Sequence, residues 1–252
     1  MDDTPYYGLH RSSRAGASRA EILQSDLKGP PKKQQKKTTM YQPDQFRVDD
    51  VAQMHALMRA RPFAALVSAG NLGLYASHLP TVLKDEGDQG VIECHLARAN
   101  PHCKELGSVG EALMIFQGEE GYITPNWYPT KAQTGKVVPT WNYAVVHAYG
   151  RPEVINDPEW LRRHVTEMTA QQERTEASPW AVSDAPETFI TAMLRGIVGF
   201  RFVIARLEGK WKMSQNREGQ DREGVVKGLQ ARRAGDDLEI ADYVARQTKP
   251  SD

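Results

Sequence analysis

The sequence predicts an α+β protein built on an antiparallel β-barrel with helices packed against it. Two observations carry this. Six or seven β-rich runs follow one another through short Gly-, Asn- and Glu-containing turns, and helical periodicity with cap signals falls before them and between and after the last of them. A third observation sets the class. The 252 residues are 40% hydrophobic and 25% charged, an ordinary globular composition. No window nears the roughly 18–20 consecutive apolar residues of a membrane span.

The elements follow in order from Met40. Val51, Met54, His55 and Met58 recur at helical spacing behind Asp49-Asp50, which suit a first helical turn. Phe63–Ala69 reads as a strand closed by Gly70-Asn71. Leu72–Leu83 reads as a second strand, with Pro80 marking an edge or bulge. Val91–Ala97 is a third. Ala112–Gln117 and Gly121–Thr124 read as a tight hairpin around Gly118-Glu119-Glu120, and Val137–Ile155 as a long strand region. Asp157-Pro158 then opens a helix with the apolar stripe Trp160, Leu161, His164, Val165 and Met168. Asp184 and Glu187 have capping-box spacing ahead of Phe189, Ile190, Met193 and Leu194, and Gly196 ends that helix. Ile197–Leu207 is a strand that turns at Glu208-Gly209 into Trp211–Ser214. Two helices near Asp221–Ala231 and Asp236–Ala245 close the chain, the first weakened by Gly224 and Gly228.

Formal charge is zero but unevenly spread. Residues 1–39 hold eight basic and four acidic side chains, leaving residues 40–252 at net −4. The first 39 residues, rich in Ser, Gly, Gln and Lys, read as a disordered basic extension, since so little apolar surface cannot offset ordering entropy. Residues 40–252 read as one folded unit. Their charge does not support binding of duplex DNA, and no short turn leads to a basic recognition helix. Two cysteines, Cys94 and Cys103, cannot staple a chain of this length; with no secretory leader pattern at Met-Asp-Asp-Thr-Pro, a cytoplasmic location is expected.

Several chemistries lack their signatures: no Walker glycine loop, no Gly-x-Gly-x-x-Gly after a strand and no Gly-x-Ser-x-Gly. Cys94-His95 and His102-Cys103 are adjacent pairs, and neighbours on a strand face opposite ways, so Cys94 reads as core and His95 as its polar counterpart. Ligation of haem or metal by His78, His95 or His102 is the competing reading. The stretch Gly121–Tyr149 stands apart. It mixes Tyr122, Trp127, Tyr128, Trp141, Tyr143 and Tyr149 with Asn126, Lys131, Asn142 and His147. A planar heteroaromatic ligand with a phosphate needs that mix of ring faces, amides and a cation. Ser214-Gln215-Asn216, between a strand and a helix, serves either as turn chemistry or as a phosphate cradle.

Six strings in order resemble the PaiB family of FMN-binding negative transcriptional regulators: Met40-Tyr41-Gln42-Pro43 with Phe46; Ser77-His78-Leu79-Pro80; His95 to His102; Tyr122 to Tyr128; Val138 to Tyr143 with His147; and Lys212-Met213-Ser214-Gln215-Asn216. The resemblance covers about Met40 to Leu229. It implies a split β-barrel of the flavin-reductase and pyridoxamine-oxidase type, a homodimer, and FMN at the subunit seam. The matched positions imply a cofactor site of His78, Arg98, Asn100, Tyr128, Lys131, Thr140, Trp141, Asn142, Ser214, Gln215 and Asn216. Lys131 or Arg98 is expected at the phosphate, Trp141 or Tyr128 against the ring, and Asn142, Gln215 and Asn216 at its carbonyl edge. The expected role is a negative transcriptional regulator or flavin-dependent sensor. The alternative is a flavin- or haem-dependent oxidoreductase in which His78, His95 or His147 ligates iron or moves a proton.

Overall fold

The computed structural model describes residues 40–71 and 73–246. The expected extension over residues 1–39 lies outside them. Eight strands form one antiparallel sheet: β1 (Arg47–Val48), β2 (Phe63–Gly70), β3 (Gly73–Pro80), β4 (Val82–Lys84), β5 (Val91–Ala97), β6 (Ala112–Ile123), β7 (Thr140–Ile155) and β8 (Ile197–Lys212). The helices are α1 (Val51–Ala60), α2 (His102–Leu106), α3 (Thr130–Thr134), α4 (Pro158–Glu173), α5 (Glu187–Arg195), α6 (Gly219–Arg232) and α7 (Asp237–Arg246).

Strand order is β3-β2-β6-β7-β8-β5-β4, with β1 on β8. The two ends of the sheet curl together. β3 approaches β5 without a ladder between them, and the chain crosses that gap at Thr81, whose amide and hydroxyl both bond the carbonyl of Pro62. This is an antiparallel split β-barrel with packed helices, the expected α+β class. Its interior holds Leu66, Met114, Phe116, Phe200 and Phe202, each at most 1% exposed. Burying side chains of that size stabilises by about 1.5–3 kcal/mol each.

Five local readings change. The strand expected over 72–83 divides after Pro80: β3 pairs with β2, whereas β4 pairs with β5, so the proline marks the crossing of the split. The expected hairpin at Gly118–Glu120 is a bulge inside the continuous β6. The expected turn at Glu208-Gly209 is absent, and β8 runs unbroken for 16 residues. Gly209 is there for space: a Cβ would meet the Met54 side chain of α1 at 2.8 Å. Asp184 does not cap α5, which starts behind Pro186; its carboxylate instead accepts from the Ala181 amide in a preceding 3-10 turn. On α5, Ile190 and Leu194 turn inward, while Phe189 and Met193 are each 53% exposed, so the four do not share one face.

The glycines of α6 have a packing role. Trp127, in the 3-10 turn after β6, lies on this helix. A Cβ at Gly228 would sit 2.1 Å from its indole, and one at Gly224 would sit 1.9 Å from its carbonyl oxygen.

Candidate functional site

The outer face of β6, β7 and β8 brings aromatic rings and cations together. Period-two alternation along β7 turns Asn142, Ala144, Val146 and Ala148 into the barrel. Trp141, Tyr143, Val145 and His147 therefore share the other face. Cross-strand register extends that face: Trp141 lies opposite Tyr122, Tyr143 opposite both Glu120 and Lys212, and Val145 opposite Gln117 and Lys210. The Tyr122 and Trp141 rings meet edge to face at 6.1 Å, and Trp141 is 52% exposed. A cavity of about 330 Å³ lies against Gln117, Glu120, Trp141, Tyr143 and Val145.

Lys212 supplies the cation of this face. Its ammonium donates to the Thr140 hydroxyl and, at 2.8 Å, to the Trp141 carbonyl. It has no carboxylate partner among the described residues. Burial, then the nearby charges of Lys210 and Arg217, pull it below the usual lysine range. An anion placed there would relieve that repulsion. Lys210 donates to the Tyr41 carbonyl at 2.9 Å and lies 5.3 Å from the Tyr143 ring centre.

The other expected residues divide by location. Asn142 is fully buried and exchanges hydrogen bonds with Ser214 at 3.0 and 3.2 Å. Ser214 has φ 63°, so this exchange fixes a left-handed turn between β8 and α6. Trp141 and Asn142 thus face opposite sides of the sheet. Gln215 is bonded to its own turn, accepting from the Met213 amide and donating to the Trp211 carbonyl. Asn216 is exposed beside Arg217, whose guanidinium lies 4.7 Å from the Tyr128 ring centre. Tyr128 is buried, and burial raises its phenol above the usual tyrosine range. Lys131 donates to Asn126 Oδ1 at 2.6 Å within its own loop, and Thr130 anchors that loop to Asp221 of α6.

His78, Arg98 and Asn100 lie elsewhere. His78 is exposed on β3 and shares a register row with Ala65, Ile115 and His147, three strand spacings or about 14 Å from the last. Arg98 follows β5, whose end pairs with the start of β8; Lys212 ends that same strand. Fifteen residues, about 50 Å of extended chain, separate the two ends. Arg98 donates to the carbonyls of Arg195 and Ile197 and to Asn156. Asn100 donates to Ser77 and accepts from the His102 amide.

His102, His95 and His147 each sit against a polar partner. His102, 1% exposed, lies between the hydroxyls of Ser68 and Ser77 at 2.9 and 2.8 Å. His95 Nδ1 is 3.2 Å from Nε2 of His164, while His147 Nδ1 is 3.3 Å from the Tyr149 hydroxyl. Cys94 is buried, which pushes its thiol up to about 12. No group of three or more His, Cys, Asp or Glu suited to a metal occurs among the described residues. No helix among them is long and apolar enough to cross a membrane.

Fold and site together define a split-barrel protein whose sheet carries an aromatic and cationic outer face. The family model described as "Putative FMN-binding domain" matches residues 40–206, and the chain belongs to that family. It is 35% identical over 213 residues to an uncharacterized protein of Emericella nidulans, covering 70% of this chain and 85% of that one. It is 29% identical over 191 residues to the Bacillus subtilis protease synthase and sporulation protein PAI 2, covering 76% and 89%. The PaiB-type resemblance is thereby upheld. A crystal structure of a conserved hypothetical protein from Mycobacterium tuberculosis shares the fold at TM-score 0.50 and 14% identity, over 71% of this chain and 94% of that one.

The donor set fits FMN. Trp141 and Tyr143 offer ring surface, Gln117 an amide, and Lys212 an ammonium without a carboxylate, on one face. Sequence reasoning included Lys212 in a matched string but gave it no role. What was missing was register, since only the Tyr143–Lys212 pairing places the two side chains together.

Proposed function

We propose that this chain binds FMN on the outer face of β6–β8 and acts as a flavin-dependent regulator or sensor rather than as a turnover enzyme. The observation that carries the reading is Lys212 beside Trp141 and Tyr143. In this reading Lys212, with Arg217 adding to the local positive field, takes the phosphate, and Trp141 packs against the isoalloxazine. Asn142 and Ser214 act from behind the sheet, holding the turn that follows Lys212. FMN when bound supplies redox chemistry, and the chain's own residues supply grip and orientation.

A cavity of about 330 Å³ is at the small end for ligand sites, and Trp141, Tyr122 and Val138 remain 52, 40 and 65% exposed. A second copy of the chain laid on this face completes the enclosure, so the proposed state is a homodimer with the cofactor at the seam. Regulatory output is supported by the name of the Bacillus relative, protease synthase and sporulation protein PAI 2. The net charge of −4 over residues 40–252 points to a protein contact as the output before a duplex-DNA contact.

The test is titration of the purified full chain with FMN, followed by flavin fluorescence, with sedimentation of the oxidised and reduced forms. Saturable binding, and an assembly that differs between the two forms, are expected. Absence of binding overturns the site, and steady oxidation of a nicotinamide overturns the regulatory reading in favour of an oxidoreductase.

A further inference from the structure

Another cavity lies away from that face. About 650 Å³ opens where the end of β5, the first turns of α4 and the last turn of α5 meet. Leu161 of α4 and Leu194 of α5 form its apolar floor. Thr191, Asn156, Arg98 and Arg195 bring polar groups to the rim.

Its charges are unequal. Arg162 and Arg163 also line it, but both are paired, to Glu187 and to Glu93 with Glu167. Arg98 and Arg195 have no carboxylate partner among the described residues, and Glu159 is the one carboxylate in the wall. The Arg98 side chain makes three hydrogen bonds, all to neutral oxygens. A guanidinium has five N–H groups, so two remain. They hold a full charge at the rim of an apolar floor, where a planar carboxylate is the anion that a guanidinium fork matches.

We propose that this cavity binds a small organic monocarboxylate with an aliphatic or aromatic body. The carboxylate lies on Arg195 and the two remaining N–H groups of Arg98, with the body along Leu161 and Leu194. The volume falls within the roughly 300–1,000 Å³ of small-molecule sites. The site is separate from the flavin face, since Arg98 and Lys212 flank opposite ends of β8.

Calorimetric titration of the full chain with octanoate and with neutral octanamide tests this. Octanoate is expected to bind at least tenfold more tightly than the amide. Arg195→Ala should remove that preference, and Thr191→Trp, which fills the cavity, should weaken both ligands at least tenfold. Both variants should melt within a few degrees of the parent and titrate with FMN as the parent does. Equal binding of acid and amide, no binding of octanoate, or an unchanged preference in Arg195→Ala overturns the proposal. Loss of FMN binding together with octanoate also overturns it, by making the cavity part of the flavin site. Failure of FMN to bind the parent leaves the octanoate comparison to decide this proposal by itself.

Discussion

The ammonium of Lys212 donates to the main-chain carbonyl of Trp141 at 2.8 Å, so the cation and the indole of the outer face are placed by one strand pairing. Removing the cation while keeping the pairing separates its two roles. Lys212→Ala is expected to weaken FMN binding tenfold to a hundredfold, since a hydrogen bond to a charged group contributes about 1.5–3 kcal/mol. Lys212→Arg should restore most of that affinity. Fluorescence titration of the three proteins checks the order; equal affinities would place the phosphate elsewhere.

A second prediction concerns Gly228. In an exposed helix, Gly→Ala stabilises by about 1 kcal/mol through propensity alone. Here the new methyl meets the Trp127 ring at 2.1 Å, and overpacking costs about 1–3 kcal/mol. Gly228→Ala is therefore expected to lower stability, by up to about 2 kcal/mol once the propensity gain is subtracted. Urea unfolding decides the sign, and a stabilised variant would mean that Trp127 does not lie on α6.

Acid should destabilise the fold through the histidine pair between β5 and α4. His164 is fully buried, stacked 5.0 Å from Trp160, and faces His95, Glu93 and Arg163. Burial, then the charges of His95 and Arg163, pull it down to about 3. Burial also lowers His95. The unfolded chain, with histidines near 6.5, takes up protons that the folded chain refuses. Stability is then complete above about pH 6.5 and falls as pH drops toward 3, by up to about 1.4 kcal/mol per pH unit for each such histidine. Unfolding at pH 7 and pH 5 should differ by about 2 kcal/mol, and His164→Gln should flatten the dependence. An unchanged slope in that variant would remove His164 as its source.

Much of this molecule was legible along the chain because strands and helices leave local signals. Asp50 and Asp157 cap the helices that their positions announce. What was not legible depends on partners distant in sequence. Gly209 reads as a turn until Met54 is known to press on it, and Gly224 and Gly228 read as helix breakers until Trp127 is known to need their flat surface. The same holds at the site. Trp141 and Asn142 are neighbours in a matched string, yet the pleat sends one outward and the other into the barrel. Arg98 and Lys212 both suit a phosphate by type, and only the register of β8 shows that they flank its opposite ends.

The last prediction uses a double-mutant cycle on Glu93 and Arg163. Glu93 is 3% exposed on β5, and both its carboxylate oxygens accept from the Arg163 guanidinium at 3.0 and 3.1 Å. Arg163→Met leaves that carboxylate buried without its cation, an expected loss of about 3 kcal/mol, the low end for such pairs because Arg163 itself is 42% exposed. Glu93→Gln removes the charge and keeps a polar group able to bond, so it should cost less. The double variant should be less destabilised than the two single losses added together, by about 1 kcal/mol or more. Strict additivity in chemical unfolding would show that the pair is not coupled.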